Sequence, residues 1–230
     1  MASVRTNGVT FNTTAGAKTV VLTSAIGDLW IVIGAETGVT TTPTLTDDQT
    51  GGTYTLITSA LKNTSADKQF AWVRNNLFTS AVSTTVTYTP SGDTGGGLCV
   101  IAVAGMSRYG LDAIRQNAKQ ENQASGTPTC TFTFNALPAN LYIGSVHDAT
   151  NGNSVAQPTG WAELQDTGYN SPTTGLEVTS EDSDQAVSGT TITWGGTAAS
   201  AFSAMALELD TSRILAPLLV HGQQYMRSRA

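Results

Sequence analysis

Apolar and polar residues alternate with a period of two along much of this chain. In Thr84–Thr89, Val86 and Tyr88 share one face of an extended segment, and Thr85, Thr87 and Thr89 share the other. That is the pattern of a half-buried strand. Such runs predict strands near 9–12, 18–23, 29–34, 42–46, 53–58, 69–74, 84–89 and 97–104 in the first half. In the second half they predict strands near 129–134, 140–147, 159–164, 174–179, 189–194 and 201–209. Clusters of Gly, Asp, Asn and Ser separate them, as in Asp47-Asp48-Gln49-Thr50-Gly51-Gly52, where glycine can take the positive φ of a hairpin turn. Many short strands with regular turn signals predict an all-β chain of jelly-roll-like β-sandwiches. One segment reads differently. Tyr109 to Gln123 places Leu111, Ile114 and Ala118 at i, i+3 and i+7, which predicts a helix of one to three turns or a folded linker.

The pattern repeats. Residues 19–31 (Thr-Val-Val-Leu-Thr-Ser-Ala-Ile-Gly-Asp-Leu-Trp-Ile) lie without gaps on 131–143 (Thr-Phe-Thr-Phe-Asn-Ala-Leu-Pro-Ala-Asn-Leu-Tyr-Ile), at an offset of 112 (131 − 19). Ala81–Tyr88 matches Ala186–Trp194, at an offset of 106 at the aromatic (194 − 88). Between these anchors, Thr53–Leu56 can be laid on Trp161–Leu164, and Phe70–Val73 on Gly175–Val178. The order of the four matches points to an internal duplication. The expected organisation is a first sandwich over 1–107, a linker over 108–126, a second sandwich over 127–210 and a C-terminal arm over 211–230.

Composition narrows the function. Charged residues make up 12% of the chain, about half the usual share, and Thr, Ser, Asn and Gln supply the polarity instead. A net charge of −6 with eleven Lys and Arg argues against binding nucleic acid or an anionic membrane surface. The N-terminal Met1-Ala2-Ser3-Val4-Arg5-Thr6 lacks the apolar core of a signal peptide, and no apolar run is long enough to span a membrane. Synthesis in the cytoplasm is expected, with Cys99 and Cys130 as strand thiols.

No constellation marks a catalytic site. The two histidines, His147 and His221, lack a nucleophile context, and no Cys or His spacing suits zinc. Asp47-Asp48 precedes a Gly-Gly turn and reads as turn chemistry. Glu163 with Asp166, and Glu181-Asp182-Ser183-Asp184, are the other carboxylate groups; the last lacks the glycine and distal Glu of a calcium loop. Gly95-Gly96-Gly97 lacks G-K-[ST] and reads as a flexible turn. Trp30, Trp72, Trp161 and Trp194 could form a sugar platform, but Trp30 and Trp194 fall where the other copy has Tyr142 and Tyr88, which favours packing. No catalytic residue, cofactor or metal is expected.

The arm is the segment that the repeat does not explain. Ile214, Leu215, Leu218, Leu219, Tyr225, Met226, Arg227 and Arg229 are its candidate partner-binding residues. Two placements fit this composition: an arm folded back on the second sandwich, or one docked on a neighbouring subunit.

The run from Thr46 to Leu56, with its Thr-Asp start and its Gly-Thr-Tyr-Thr-Leu end, resembles a hairpin of duplicated jelly-roll-like structural proteins of tailed bacteriophages. The later strand Thr84–Thr89, its Gly/Ser loop and the apolar closing strand fit the same family. The second copy departs from it at Pro158-Thr159-Gly160-Trp161. The resemblance implies a non-enzymatic virion protein: a capsid decoration (cement) protein, head fibre or minor tail protein. The implied partners are the major capsid protein and other virion subunits, with many copies on the particle. A tail or fibre protein that binds host carbohydrate is the alternative.

Overall fold

The computed structural model describes residues 2–39, 41–62, 67–92, 95–149, 155–169, 174–181, 187, 189–198 and 200–212, with backbone alone at 167, 169, 174 and 175. The first half contributes Ser3–Asn12 (β1), Lys18–Thr23 (β2), Leu29–Thr37 (β3), Thr44–Asp47 (β4), Tyr54–Leu61 (β5), Lys68–Arg74 (β6), Ser83–Thr89 (β7) and Gly95–Ala104 (β8). The second contributes Ile114–Gln123 (β9), Thr129–Thr131 (β10), Leu141–Asp148 (β11), Val155–Ala156 (β12), Ala162–Tyr169 (β13), Thr174–Glu181 (β14), Thr191–Thr193 (β15), Gly195–Gly196 (β16) and Phe202–Leu209 (β17). The all-β expectation holds.

The strands form four layers. One five-stranded sheet runs β1-β8-β3-β6-β5 and the other β13-β14-β11-β17-β9. Each carries a smaller outer layer, β2-β7-β4 on the first and the pairs β10-β15 and β12-β16 on the second. The two large sheets face each other, with β1 beside β13 and β5 beside β9. The central core between them draws on both halves, with Ile31, Ile33, Cys99, Ile101 and Val103 against Ile143, Leu176, Val178, Met205 and Leu207. Two outer cores lie between each large sheet and its small layer.

This stacking explains why β3, β8, β11 and β17 read as near-continuous apolar runs. Antiparallel sheets usually leave one face in water, but here both faces are covered and nearly every residue in these strands is buried. In β3, Leu29, Ile31 and Ile33 enter the central core, while Trp30 and Val32 enter the outer one. One polar contact crosses the centre: Ser145 Oγ donates to Gln69 Oε1 at 2.7 Å, and Gln69 Nε2 donates to Ser203 Oγ at 3.0 Å, all three residues being fully buried.

The same strand order recurs in both halves: reading the second sheet backwards gives β9-β17-β11-β14-β13, strand for strand the counterpart of β1-β8-β3-β6-β5. Leu29 pairs with Val103, and Leu141 with Leu209, so the offsets of 112 and 106 read from sequence are also those of the paired central strands. The inner strands correct the sequence alignment. Ile31 pairs with Val73 where Ile143 pairs with Ser180, an offset of 107 (180 − 73). Glu177, rather than Gly175, therefore matches Phe70, and Trp161, rather than Ala162, matches Tyr54. Bulges recur as well. The register skips Ile57 in β5 and Leu164 in β13, and both side chains pack on the central core.

Two other expectations fail. The helix expected within 109–123 is only a 3-10 turn at Gly110–Ala113; Ile114–Gln123 is the edge strand β9, paired along β17. Local helix propensity is a weak prior, and the open edge of β17 offers a ladder of backbone hydrogen bonds that overrides it. Gly95–Gly97, expected as a flexible turn, begins β8 and is buried. A Cβ at Gly96 would lie 2.6 Å from the Ala35 carbonyl oxygen, and one at Gly97 would lie 2.7 Å from the Phe11 ring. The glycines permit close strand approach rather than flexibility.

Candidate interaction surface

Among the described residues, the carboxylates, histidines and cysteines assemble no reactive group. Cys99 is buried in the central core and Cys130 in the second outer core; both are free, and burial pushes the Cys99 thiol up to about 12. His147 is wholly buried, and burial, aided by the charge of Lys62, holds its imidazole well below the ordinary histidine range. Asp47 is turn chemistry: Oδ1 accepts from the Gln49 amide at 2.9 Å, and Oδ2 from Arg74 Nε at 2.8 Å and the Tyr54 hydroxyl at 3.0 Å. All four tryptophans are buried; Trp72 stacks with Phe70 and meets Tyr88 edge-on, and Trp161 packs against Tyr142 and Trp194. Among the described residues, no group of three or more His, Cys, Asp and Glu is placed to hold a metal ion, and no helix is long and apolar enough to cross a membrane.

What the sequence did not reveal is a polarised end of the stack. Of the seven large apolar side chains exposed among the described residues, five lie in loops at one end: Ile26, Tyr109, Leu111, Phe134 and Leu137. These loops are the β2–β3 turn, the β8–β9 connection and the β10–β11 connection. Their neighbours Met106, Phe132 and Ala136 turn into the cores, and these five side chains are left facing water.

Arginine–carboxylate pairs brace this end. Arg5 in β1 pairs with buried Asp28, which also accepts from the Ala25 amide at 2.7 Å. Arg115 donates to buried Glu208 at 2.6 Å, and Glu208 also accepts from Gln116, from Asn140 Nδ2 at 2.7 Å and from the Leu137 amide at 3.0 Å. Arg108 pairs with Asp210 at 3.2 Å. Burial works against the Asp210 charge, but hydrogen bonds from Ser212 and the charges of Arg108 and Arg115 outweigh it and hold the carboxyl below the usual range.

The chain leaves through the middle of this surface. The Asp210 amide donates to the Ala113 carbonyl at 2.8 Å, the Thr211 hydroxyl to the Ala139 carbonyl at 2.6 Å, and the Ser107 hydroxyl to the Ser212 carbonyl at 3.0 Å. Asp210–Ser212 is thus clamped between 107–113 on one side and 137–140 on the other. The expected partner-binding residues Ile214, Leu215, Leu218, Leu219, Tyr225, Met226, Arg227 and Arg229 lie outside the described residues, as do His221 and Asp182–Asp184.

At the other candidate site, an open pocket of about 260 Å³ is lined by Pro158, Thr159, Trp161, Glu181, Thr191 and Thr193 among others. It combines an aromatic ring edge, a carboxylate and hydroxyls, groups that can hydrogen-bond a polar small molecule. Scans against protein-family models, curated proteins and solved structures found no match to this chain.

Proposed function

We propose that this chain is a non-enzymatic structural protein of a bacteriophage virion, a capsid decoration protein that binds the shell and neighbouring subunits through one end of the stack and the arm that leaves it. The observation that carries this reading is the concentration of exposed apolar side chains in the loops around Ser212. Apolar side chains gathered on one surface are a common mark of a protein–protein contact. Supporting it are the low charge, the large cores that stiffen the scaffold, and the hairpin resemblance at Thr46–Leu56.

The test is particle occupancy. Deleting residues 213–230 is expected to abolish incorporation while leaving the unfolding transition of the β stack intact. Full occupancy by the truncated chain would remove the arm's role. Mass spectrometry that finds the chain in purified tails and not in heads would overturn the decoration reading itself.

The pocket beside Trp161 favours a second reading, a tail or fibre protein that binds carbohydrate. A glycan array with the Trp161→Ala variant distinguishes them. Saturable sugar binding lost on substitution would support this second reading.

A further inference from the structure

We propose that the exposed apolar side chains Tyr109, Leu111, Phe134 and Leu137 form the seat of this chain's own Ile214–Val220 segment. The geometry of the exit point carries the inference. Asp210–Ser212 is fixed by hydrogen bonds to Ala113, Ala139 and Ser107, so the chain emerges in a set position. Leu111 stands two residues from Ala113, and Tyr109 follows Arg108, whose Nη2 donates to Ser212 Oγ at 3.2 Å. Leu137 lies on the opposite side, its amide held by Glu208. Phe134 is tied to β9, its carbonyl accepting from Gln116 Nε2 at 3.0 Å.

These four side chains are between 45% and 62% exposed. The segment that begins two residues beyond Ser212 is Ile214-Leu215-Ala216-Pro217-Leu218-Leu219-Val220. An extended chain advances about 3.3–3.6 Å per residue, so Ile214 lies within ~7 Å of Ser212 and the whole segment can reach the patch. A tether this short gives a local concentration on the order of millimolar, far above that of any second copy in dilute solution. Own-chain docking therefore precedes docking on a neighbour. The inference concerns the isolated protein and does not rest on the virion reading. On a particle, a neighbour could take the segment only once it has left this seat.

Two measurements on the full-length protein test it. A photo-crosslinking residue at Leu218, in a mixture of isotope-labelled and unlabelled chains, is expected to join peptides containing residues 109–111 or 134–137 within one chain. Mixed-isotope crosslinks, or crosslinks confined to other peptides, would overturn the proposal. Hydrogen exchange is expected to speed up about tenfold or more at Leu111–Ala113 and Ala136–Leu137 when residues 213–230 are deleted. Unchanged exchange would overturn it too. Neither readout involves particles, so its failure is separate from failure of the decoration reading.

Discussion

The two halves share a backbone plan but fill their outer faces differently. In the first half, Leu56 and Phe70 pack into the outer core beneath β2-β7-β4. Their counterparts in the second half, at the offset of 107, are Glu163 and Glu177. Glu177 is buried, and its Oε1 has no hydrogen-bond partner among the described residues. On the central face Leu29, Ile31 and Val103 correspond to Leu141, Ile143 and Leu209, and two polar replacements, Ser145 for Ile33 and Gln69 for Leu176, hydrogen-bond each other across the centre. The shared core that joins the halves constrains both together, whereas each outer face answers only to its own small layer. The most disruptive test of this contrast is to give the first half the second half's residue. Phe70→Glu places a carboxylate in the apolar outer core with Trp72, Tyr88 and Val86, and should cost about 4 kcal/mol or more in urea unfolding. A cost near zero would mean that the outer faces are interchangeable.

The arginines at the head of each half sharpen the comparison. Both edge strands skip an arginine in their pairing register, Arg5 in β1 and Arg115 in β9. Arg5 finds its carboxylate in the turn before β3, at Asp28. At the corresponding turn position the second half has Asn140, and the carboxylate comes from β17 instead, as Glu208, where β8 has Ala102. Glu208 satisfies four donors and is fully buried, so Glu208→Ala should cost about 3–4 kcal/mol, the guanidinium and three amide donors losing their acceptor. Adding Asn140→Asp to that variant transplants the first half's arrangement and should restore about half of the loss. No recovery would show that the two solutions depend on their own surroundings.

Much of this architecture was legible in the sequence, and the failures have physical causes. The match around Trp30/Tyr142 found the offset of the central strand because large buried rings are hard to exchange, whereas in the outer layer the two anchors disagree by two residues, Thr19 pairing with Thr87 but Thr131 with Thr191. The inner strands slipped by one and two residues because Glu163 and Glu177 stand where the first half has Leu56 and Phe70. β9 was missed since Arg115, Gln116, Ala118, Lys119 and Gln120 are good helix formers, and nothing local reveals the open edge they must cover. The stacking of the two halves was equally hidden. A strand buried on both faces and a short core segment share the same apolar run. The apolar end was unreadable because Ile26, Tyr109, Leu111, Phe134 and Leu137 are scattered over more than a hundred residues and meet only in the fold.

The Asp47 turn has no counterpart in the second half, where Pro158-Thr159-Gly160-Trp161 takes its place, and this gives a smaller effect. Gly52 lies against Asp47: a Cβ there would stand 1.7 Å from Oδ1. Gly52→Ala should push the carboxylate off Arg74 and Tyr54 and cost about 2–3 kcal/mol. Gly160→Ala, at a φ of +88°, should cost about 1 kcal/mol from backbone strain alone. Equal losses in thermal unfolding would imply that the Asp47 contacts contribute nothing beyond the turn.

The effect most specific to the second half's outer face is modest and depends on pH. Burial, followed by the charges of Asp166, Glu163 and Asp148, raises the Glu177 carboxyl to about 8 from an ordinary value of 4.5. Below pH 4.5 the group is protonated in the folded and unfolded chains alike, so it favours neither state. Between pH 4.5 and 8 the unfolded chain ionises first, and stability falls as pH rises; above 8 both states are ionised and the loss is complete. Glu177→Gln removes this slope. Because Glu163 is exposed and can turn its charge into water, the gain should be only about 1–2 kcal/mol at pH 8.5, vanishing at pH 4. The same substitution cannot be made at Phe70 in the first half, where there is no carboxyl to remove, so a pH-dependent gain confined to Glu177→Gln would tie the difference between the halves to that one buried charge. A gain independent of pH would mean that the Glu177 carboxyl titrates alike in the folded and unfolded chains, and that the carboxylates around it are not what sets the second outer face apart.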